Sequence, residues 1–184
     1  MSEKGTLYFF TGLAGAGKTT LGGLFYEHLK ELHPDAVLID GDQSRAASGH
    51  KDYSTESRRA GAYRLFRRCR ELTEQGHDVV CCSISMYEDV RAWNRANIEK
   101  YILIYIKTSM ETLYRRDQKG LYSSGTKQVV GVDLPWDEPQ NADIVVENDE
   151  DESPTDLVEQ IEQALFHTAP IGENVKLSCY GELA

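Results

Sequence analysis

The stretch "TGLAGAGKTT", Thr11 to Thr20, carries the clearest chemistry in the chain. Gly12, Gly17, Lys18 and Thr19 satisfy the spacing G-x-x-x-x-G-K-[ST]. Between them Ala14, Gly15 and Ala16 keep the backbone nearly bare. Such a loop wraps a phosphate chain with its N–H groups, and large side chains would obstruct that approach. Some positions also need left-handed backbone angles that only glycine adopts cheaply. The helix expected to start here, with Thr20 in its first turn, adds unsatisfied N–H groups and a positive dipole end. Lys18 would neutralise the β- and γ-phosphates, and the Thr19 hydroxyl would bind Mg²⁺. The apolar run "TLYFF" before the loop and an amphipathic pattern after it supply both flanks that the motif requires. The stretch is therefore predicted to hold a nucleoside triphosphate with Mg²⁺, and the pattern alone does not separate a kinase from a GTPase or a motor.

A second group follows at "IDGDQSR", with Asp40, Gly41, Asp42 and Arg45. Two carboxylates two residues apart beside a triphosphate can orient metal-bound water and accept a proton from an attacking hydroxyl. Asp-Gly is also a common turn pair, but its place directly after the apolar "AVLI" favours chemistry. The N-K-x-D pattern with which GTPases read guanine is absent, and motor ATPases are usually larger.

Alternating apolar runs and helical patterns position these groups. Strands are expected at "TLYFFT", "AVLID", "DVVCCSI", "YILIYIK" and "ADIVVEN". Leu21, Leu24, Phe25, His28, Leu29 and Leu32 line one face of a helix from Gly17 to about Leu32. Ala62, Leu65, Phe66, Cys69 and Leu72 mark another, from about Thr55 to Gln75, with Gly76 ending it. A short helix runs to about Asn97, Ser109 caps one reaching about Asp117, and Pro154 opens a last one. The polar stretch from Gly41 to Ser54 reads as a loop, and residues 118–141 read as a functional lid or a disordered tract. Continuously apolar strands alternating with helices imply an α/β fold: a three-layer P-loop sandwich with a mostly parallel five-stranded sheet, helices on both faces and a lid. One domain over residues 1–167 is expected, with a patternless tail over 168–184. Ligands in such sheets bind beyond the C-terminal strand ends, and "TGLAGAGKT", "DGDQSR", "SMYED" and "KTS" all fall there.

Composition agrees with one compact domain. The chain has 184 residues, 40% hydrophobic, and a net charge of −10. That charge argues against broad binding to nucleic acid or membrane surfaces, both polyanionic. No apolar run is long enough to span a bilayer, and the first ten residues lack a secretion-signal pattern. Cys69, Cys81, Cys82 and Cys179 have neither disulfide-scaffold nor zinc-site spacing, so reduced thiols in a cytoplasmic protein are expected. The five histidines lack metal-ligand spacing, and the arginines of residues 58–70 scatter around their helix as a mostly solvated face.

From Leu7 to about Val146 the chain resembles the adenylylsulfate (APS) kinases. The loop "GLAGAGKTT" is similar to theirs. So is D-G-D-x-x-R, matched by Asp40, Gly41, Asp42 and Arg45. The stretch R-D-x-K-G-L-Y is matched by Arg116, Asp117, Lys119, Gly120, Leu121 and Tyr122. G-[IV]-D-x-P-[YW] is matched by Gly131, Val132, Asp133, Pro135 and Trp136, followed by Asp137 and Glu138 with one extra residue before Pro139. The resemblance implies transfer of the ATP γ-phosphate to a ribose 3′-hydroxyl of a 5′-nucleotide conjugate, a small-molecule acceptor. Asp42 would be the base with Asp40 in support, Asp40 would join Thr19 on Mg²⁺, and Lys18 would act at the phosphates. Arg116 and Lys127 would close over ATP. Arg45, Tyr53, Arg58, Ile84, Ser85, Lys119, Gly120, Leu121 and Val129 would line the acceptor side. The resemblance also allows a homodimer.

The departures cluster on that acceptor side. "AASGHKD" replaces the family's G-L-N segment, Ser57 replaces an Asp, Gly61 an Asn, and Met86 a Pro. The family sandwiches adenine between two aromatic rings, whereas "KQVVG" puts Val129 where the lid ring stands. One stacking face is worth roughly 1–3 kcal/mol. The acceptor expected first is adenosine 5′-phosphosulfate. The alternatives are another conjugate, such as the cytidine diphosphoramidate of capsule-modification relatives, and a non-catalytic nucleotide-binding module.

Overall fold

A computed structural model describes residues 3–43, 54–85, 87–117, 120–123, 129–149, 152–166 and 175–177. Its strands are β1 (Leu7–Thr11), β2 (Val37–Asp40), β3 (Val79–Cys82), β4 (Tyr101–Lys107), β5 (Ile144–Glu147) and β6 (Val175–Leu177). Its helices are α1 (Lys18–Leu32), α2 (Thr55–Glu74), α3 (Glu88–Asn97), α4 (Met110–Arg116) and α5 (Pro154–Phe166). The strands form one sheet in the order β2-β3-β1-β4-β5-β6, and every pair is parallel. The sheet thus has six strands where the sequence predicts five. β6 is three residues long, too short for alternation to register against its surroundings.

β1 is buried along its whole length, and its alternation shows why both faces need cover. Tyr8 and Phe10 meet Phe25 of α1 at ring separations of 5.0 and 5.5 Å. Phe9 points the other way and meets Phe66 of α2 edge-on at 4.8 Å. Successive strand residues face opposite sides, so one apolar strand anchors a helix on each. The chain returns past β1 on both sides, to β3 and to β4. The C-terminal end of β1 is therefore a switch point, where open parallel sheets leave a crevice.

Local signals behave as their chemistry requires. The Ser54 hydroxyl accepts from the Ser57 N–H at the start of α2, and Ser109 accepts from Thr112 at the start of α4. Gly76, at φ +97°, closes α2. Pro154 is the first residue of α5. Two expectations change. Residues 41–43 are helical, not loop. The described part of the lid is structured: Gly120 to Ser123 turn, and Val130 bridges to Leu134. Among the described residues no helix is long and apolar enough to cross a membrane.

α1 lies close on β3 because of one small residue. A Cβ on Gly22 would sit 2.3 Å from Cys82 Sγ, whereas one on the adjacent Gly23 would meet nothing within 4 Å. Gly22→Ala is expected to destabilise by about 1–3 kcal/mol, as overpacking does. That is a fall of several degrees in Tm for a domain of this size, about 2–4 °C per kcal/mol. Gly23→Ala is expected to be neutral or stabilising by about 0.5–1 kcal/mol. Thermal denaturation of the two variants side by side checks the contrast.

Candidate active site

The phosphate loop is shaped by where its carbonyls go. Leu13 O accepts from Lys18 Nζ at 2.8 Å and from Ala16 N–H at 3.2 Å. Ala14 O accepts from the Tyr122 hydroxyl at 2.7 Å, and Ala16 O from Asn148 Nδ2 at 2.8 Å. No described peptide is cis, so each N–H points opposite the preceding C=O. Anchoring these carbonyls turns the N–H groups of Ala14, Gly15 and Gly17 to the other side, where an anion would sit. Glycine is needed where the backbone is crowded or left-handed. A Cβ on Gly12 would lie 2.4 Å from Ile106 O on β4. Gly17 has φ +102°, and a Cβ there would lie 2.8 Å from Asn148 Nδ2. Gly17 also lends α1 no side-chain cap, which leaves the first-turn N–H groups available.

Lys18 is half-buried. Burial pushes its amine down to about 8, against the pull of Asp42, Cys82 and Asp40. Thr19 Oγ1 donates to Asp40 Oδ2 at 3.1 Å. The other Asp40 oxygen accepts the N–H groups of Asp42 at 2.8 Å and Gln43 at 3.0 Å. One carboxylate thus ties the second turn element to the phosphate loop and fixes the start of the 41–43 helix that carries Asp42. Asp42 itself is exposed, while Asp40 is half-buried. A hydroxyl and a carboxylate side by side are hard oxygen donors of the kind that Mg²⁺ takes together with phosphate oxygens. These residues fit such an ion.

The end of β3 lies next to the loop, since the Thr11 hydroxyl donates to Ile84 O at 2.7 Å. Ser85 has φ +34° and is only 7% exposed. Its Oγ has no partner among the described residues. Arg58 is half-buried near the start of α2. On the lid side, Asp117 accepts from the N–H groups of Tyr122 and Ser123 and from the Ser123 hydroxyl. This turn carries Gly120 and Leu121 and aims the Tyr122 hydroxyl at Ala14. Arg116 Nη2 reaches Asn148 Oδ1 at 3.4 Å, so it stands two contacts from the phosphate loop. Gly131 packs on Leu13, where a Cβ would come within 2.9 Å. Val129, expected to line the acceptor side, is buried at 7% exposure, with its N–H on Asp133 Oδ2. Thr20 is an exposed residue of the first turn of α1. Arg45, Tyr53, Lys119 and Lys127 lie outside the described residues.

Asn148 and Tyr122 escaped the sequence reading as loop anchors. Asn148 directly follows β5, at a strand end where such groups collect, so its place alone could have marked it. The contact of Tyr122 spans 108 residues, and no local pattern announces it.

A parallel sheet, a glycine loop at the switch point, and a hydroxyl–carboxylate pair beside a lysine define a P-loop nucleotide-binding protein. The comparisons sharpen that class. A family model described as adenylylsulphate kinase matches residues 4–147. A cytidine diphosphoramidate kinase of Campylobacter jejuni is 38% identical over 152 residues, 80% of this chain and 89% of that protein. An adenylyl-sulfate kinase of Picosynechococcus sp. is 31% identical over 177 residues, 94% of this chain and 98% of that protein. The APS kinase of Mycobacterium tuberculosis, solved in complex with AMPPNP and APS, superposes with a TM-score of 0.79 at 26% identity, covering 88% of this chain and 98% of that one. The chain belongs to the adenylylsulfate kinase family. It is a phosphotransferase with an alcohol group as acceptor.

The depressed Lys18 amine gives a pH test. Between about 8 and 10.5 the unfolded chain holds the lysine proton that the folded chain has shed. The unfolded state then binds more protons, so stability rises with pH in this window. Nucleotide-free wild type is expected to gain stability relative to Lys18→Met as pH is raised through that range. Chemical denaturation at a series of pH values checks it, and a constant difference would contradict the burial of the amine.

Proposed function

We propose that the chain transfers the γ-phosphate of ATP to the ribose 3′-hydroxyl of a cytidine 5′-conjugate of the diphosphoramidate kind. The observation that carries the kinase reading is the Thr19–Asp40 pair, whose carboxylate also sets the backbone of Asp42. Asp42 takes the proton of the 3′-hydroxyl as its oxygen attacks the γ-phosphorus. The bond to the β–γ bridging oxygen breaks, and ADP leaves. Lys18 moves from Leu13 O to the phosphates and neutralises charge on the transferring group. The loop N–H groups hold the β-phosphate. Thr19 and Asp40 would hold Mg²⁺, which when bound would supply further charge neutralisation. The lid, through Arg116 and the Tyr122 turn, closes over the nucleotide and excludes water, the competing acceptor.

Two observations favour a cytidine acceptor. Val129 offers no ring and is buried, so the adenine sandwich lacks one face. The relative that is 38% identical is a cytidine diphosphoramidate kinase. Adenosine 5′-phosphosulfate is the second reading, favoured by the lid motif from Arg116 to Tyr122 and by the APS-bound neighbour. A non-catalytic module is disfavoured by the retained Lys18, Thr19, Asp40 and Asp42.

ADP release measured with cytidine 5′-diphosphoramidate and adenosine 5′-phosphosulfate tests this. Turnover is expected with both or with the cytidine compound alone, and the higher kcat/KM should belong to cytidine. Turnover no faster than acceptor-free hydrolysis with either would overturn the kinase reading. Asp42→Asn is expected to lower kcat by roughly 10²–10⁴-fold, the usual share of a general base, with nucleotide affinity nearly unchanged. Equal loss of both would show that Asp42 belongs to nucleotide binding. Val129→Phe is expected to lower the KM for the adenylyl acceptor while costing about 1–3 kcal/mol of stability, since the site is already filled. An unchanged KM would count against the stacking argument.

A further inference from the structure

Arg91 lies on α3, in none of the motifs described above, yet its side chain is only 3% exposed. A buried cation is costly unless its donors are satisfied. Its carboxylate partner is Glu88, one turn earlier and itself 54% exposed. Nη2 lies 2.6 Å from Glu88 Oε2, and Nε donates to the same oxygen at 3.0 Å. The other donors go to backbone. Nη1 donates to Ser85 O at 3.2 Å, and Nη2 to Asp137 O at 2.6 Å. Glu88 repeats the link from the main chain, where its N–H donates to Asp137 Oδ2 at 3.0 Å. One guanidinium therefore joins the left-handed residue at the end of β3 to the segment that closes the lid. That segment is held from β4 as well. Trp136 packs on Tyr105 at 5.8 Å, and the Tyr105 hydroxyl donates to Glu138 Oε1 at 3.0 Å.

We propose that Arg91 is a positioning residue for the acceptor. It holds Ser85 in its left-handed conformation, so that the buried Ser85 Oγ, unpartnered among the described residues, is kept for the acceptor, and it fixes the lid's closing segment in the same arrangement. This rests on the kinase reading and deepens it, because the clamp serves the acceptor side and not the phosphate loop. The Arg fork suits the task, since its planar donors reach two carbonyls and a carboxylate at fixed angles. A lysine would keep the charge and lose the fork.

Steady-state kinetics of the full chain tests it, with cytidine 5′-diphosphoramidate and adenosine 5′-phosphosulfate as acceptors. The variants are Arg91→Lys, Glu88→Gln, Ser85→Ala and the Arg91→Lys/Ser85→Ala double. Arg91→Lys is expected to raise the acceptor KM roughly ten-fold or more, the scale of a lost charge-assisted hydrogen bond, with the KM for ATP changed less than about two-fold. Glu88→Gln, at a half-exposed position that folding tolerates, should shift the acceptor KM in the same direction by less. The double variant should be no worse than Arg91→Lys alone, because the arginine acts through Ser85. A cation that merely braced the core would raise both KM values alike, or its effect would add to that of Ser85→Ala; either result overturns the inference. Wild type without turnover would sink the kinase reading itself. Amide hydrogen exchange then judges the clamp separately: faster exchange at the Glu88 N–H in Arg91→Lys sustains it, and unchanged protection removes it.

Discussion

The site depends on the outward anchoring of three carbonyls in the phosphate loop. A glycine-rich loop has the freedom to bind an anion and equal freedom to collapse on itself. Here Lys18, Tyr122 and Asn148 take Leu13 O, Ala14 O and Ala16 O. These three come from α1, the lid and the segment after β5. The N–H groups of Ala14, Gly15 and Gly17 are left facing away from these anchors before any ligand arrives, while that of Ala16 bonds Leu13 O. The cost of preorganising the loop is spread over the fold, and the binding face is preset.

The same anchors join the nucleotide side to the lid. Tyr122 belongs to the lid turn organised by Asp117, and Asn148 also meets Arg116. A lid displacement must therefore release a loop carbonyl, and a filled loop favours the lid that holds it. On the opposite flank, Asp40 serves two masters at once. It accepts from Thr19 and from the N–H groups that start the 41–43 helix. The base proposed for the reaction and the hydroxyl proposed for Mg²⁺ are thus held by one carboxylate. The proposed acceptor side has different supports, Arg91 and its contacts with Ser85 and Asp137. The departures from the family motifs lie on that side. Acceptor specificity can change there while the nucleotide half stays intact.

Much of this was legible in order along the chain. The apolar runs became strands within a residue or two; β1 and β3, buried along their whole length, need an unbroken apolar stretch, whereas the edge strand β2 leaves Leu38 exposed. Ser109 and Gly76 marked helix ends because capping is a contact between near neighbours. The 41–43 helix and β6 were missed. The first contains an exposed Asp and Gln and depends on a side chain one residue upstream to start it, and the second is too short to show a period. The acceptor-side expectation for Val129 rested on alignment with the family. Its burial is a packing outcome.

The sequence by itself determined the local chemistry: a glycine loop with its lysine and threonine, an acid pair after a buried strand, and a lid motif specific enough to name the family. These are decided by residue type at fixed spacing, so one dimension suffices. Tertiary structure alone decided which carbonyls are pinned, that Asp40 bonds Thr19 across 21 residues, and that Arg91 reaches Asp137 across 46. Such contacts depend on how strands are ordered in the sheet and which helix covers which face. That information is shared among residues far apart in the chain, and no single stretch contains it.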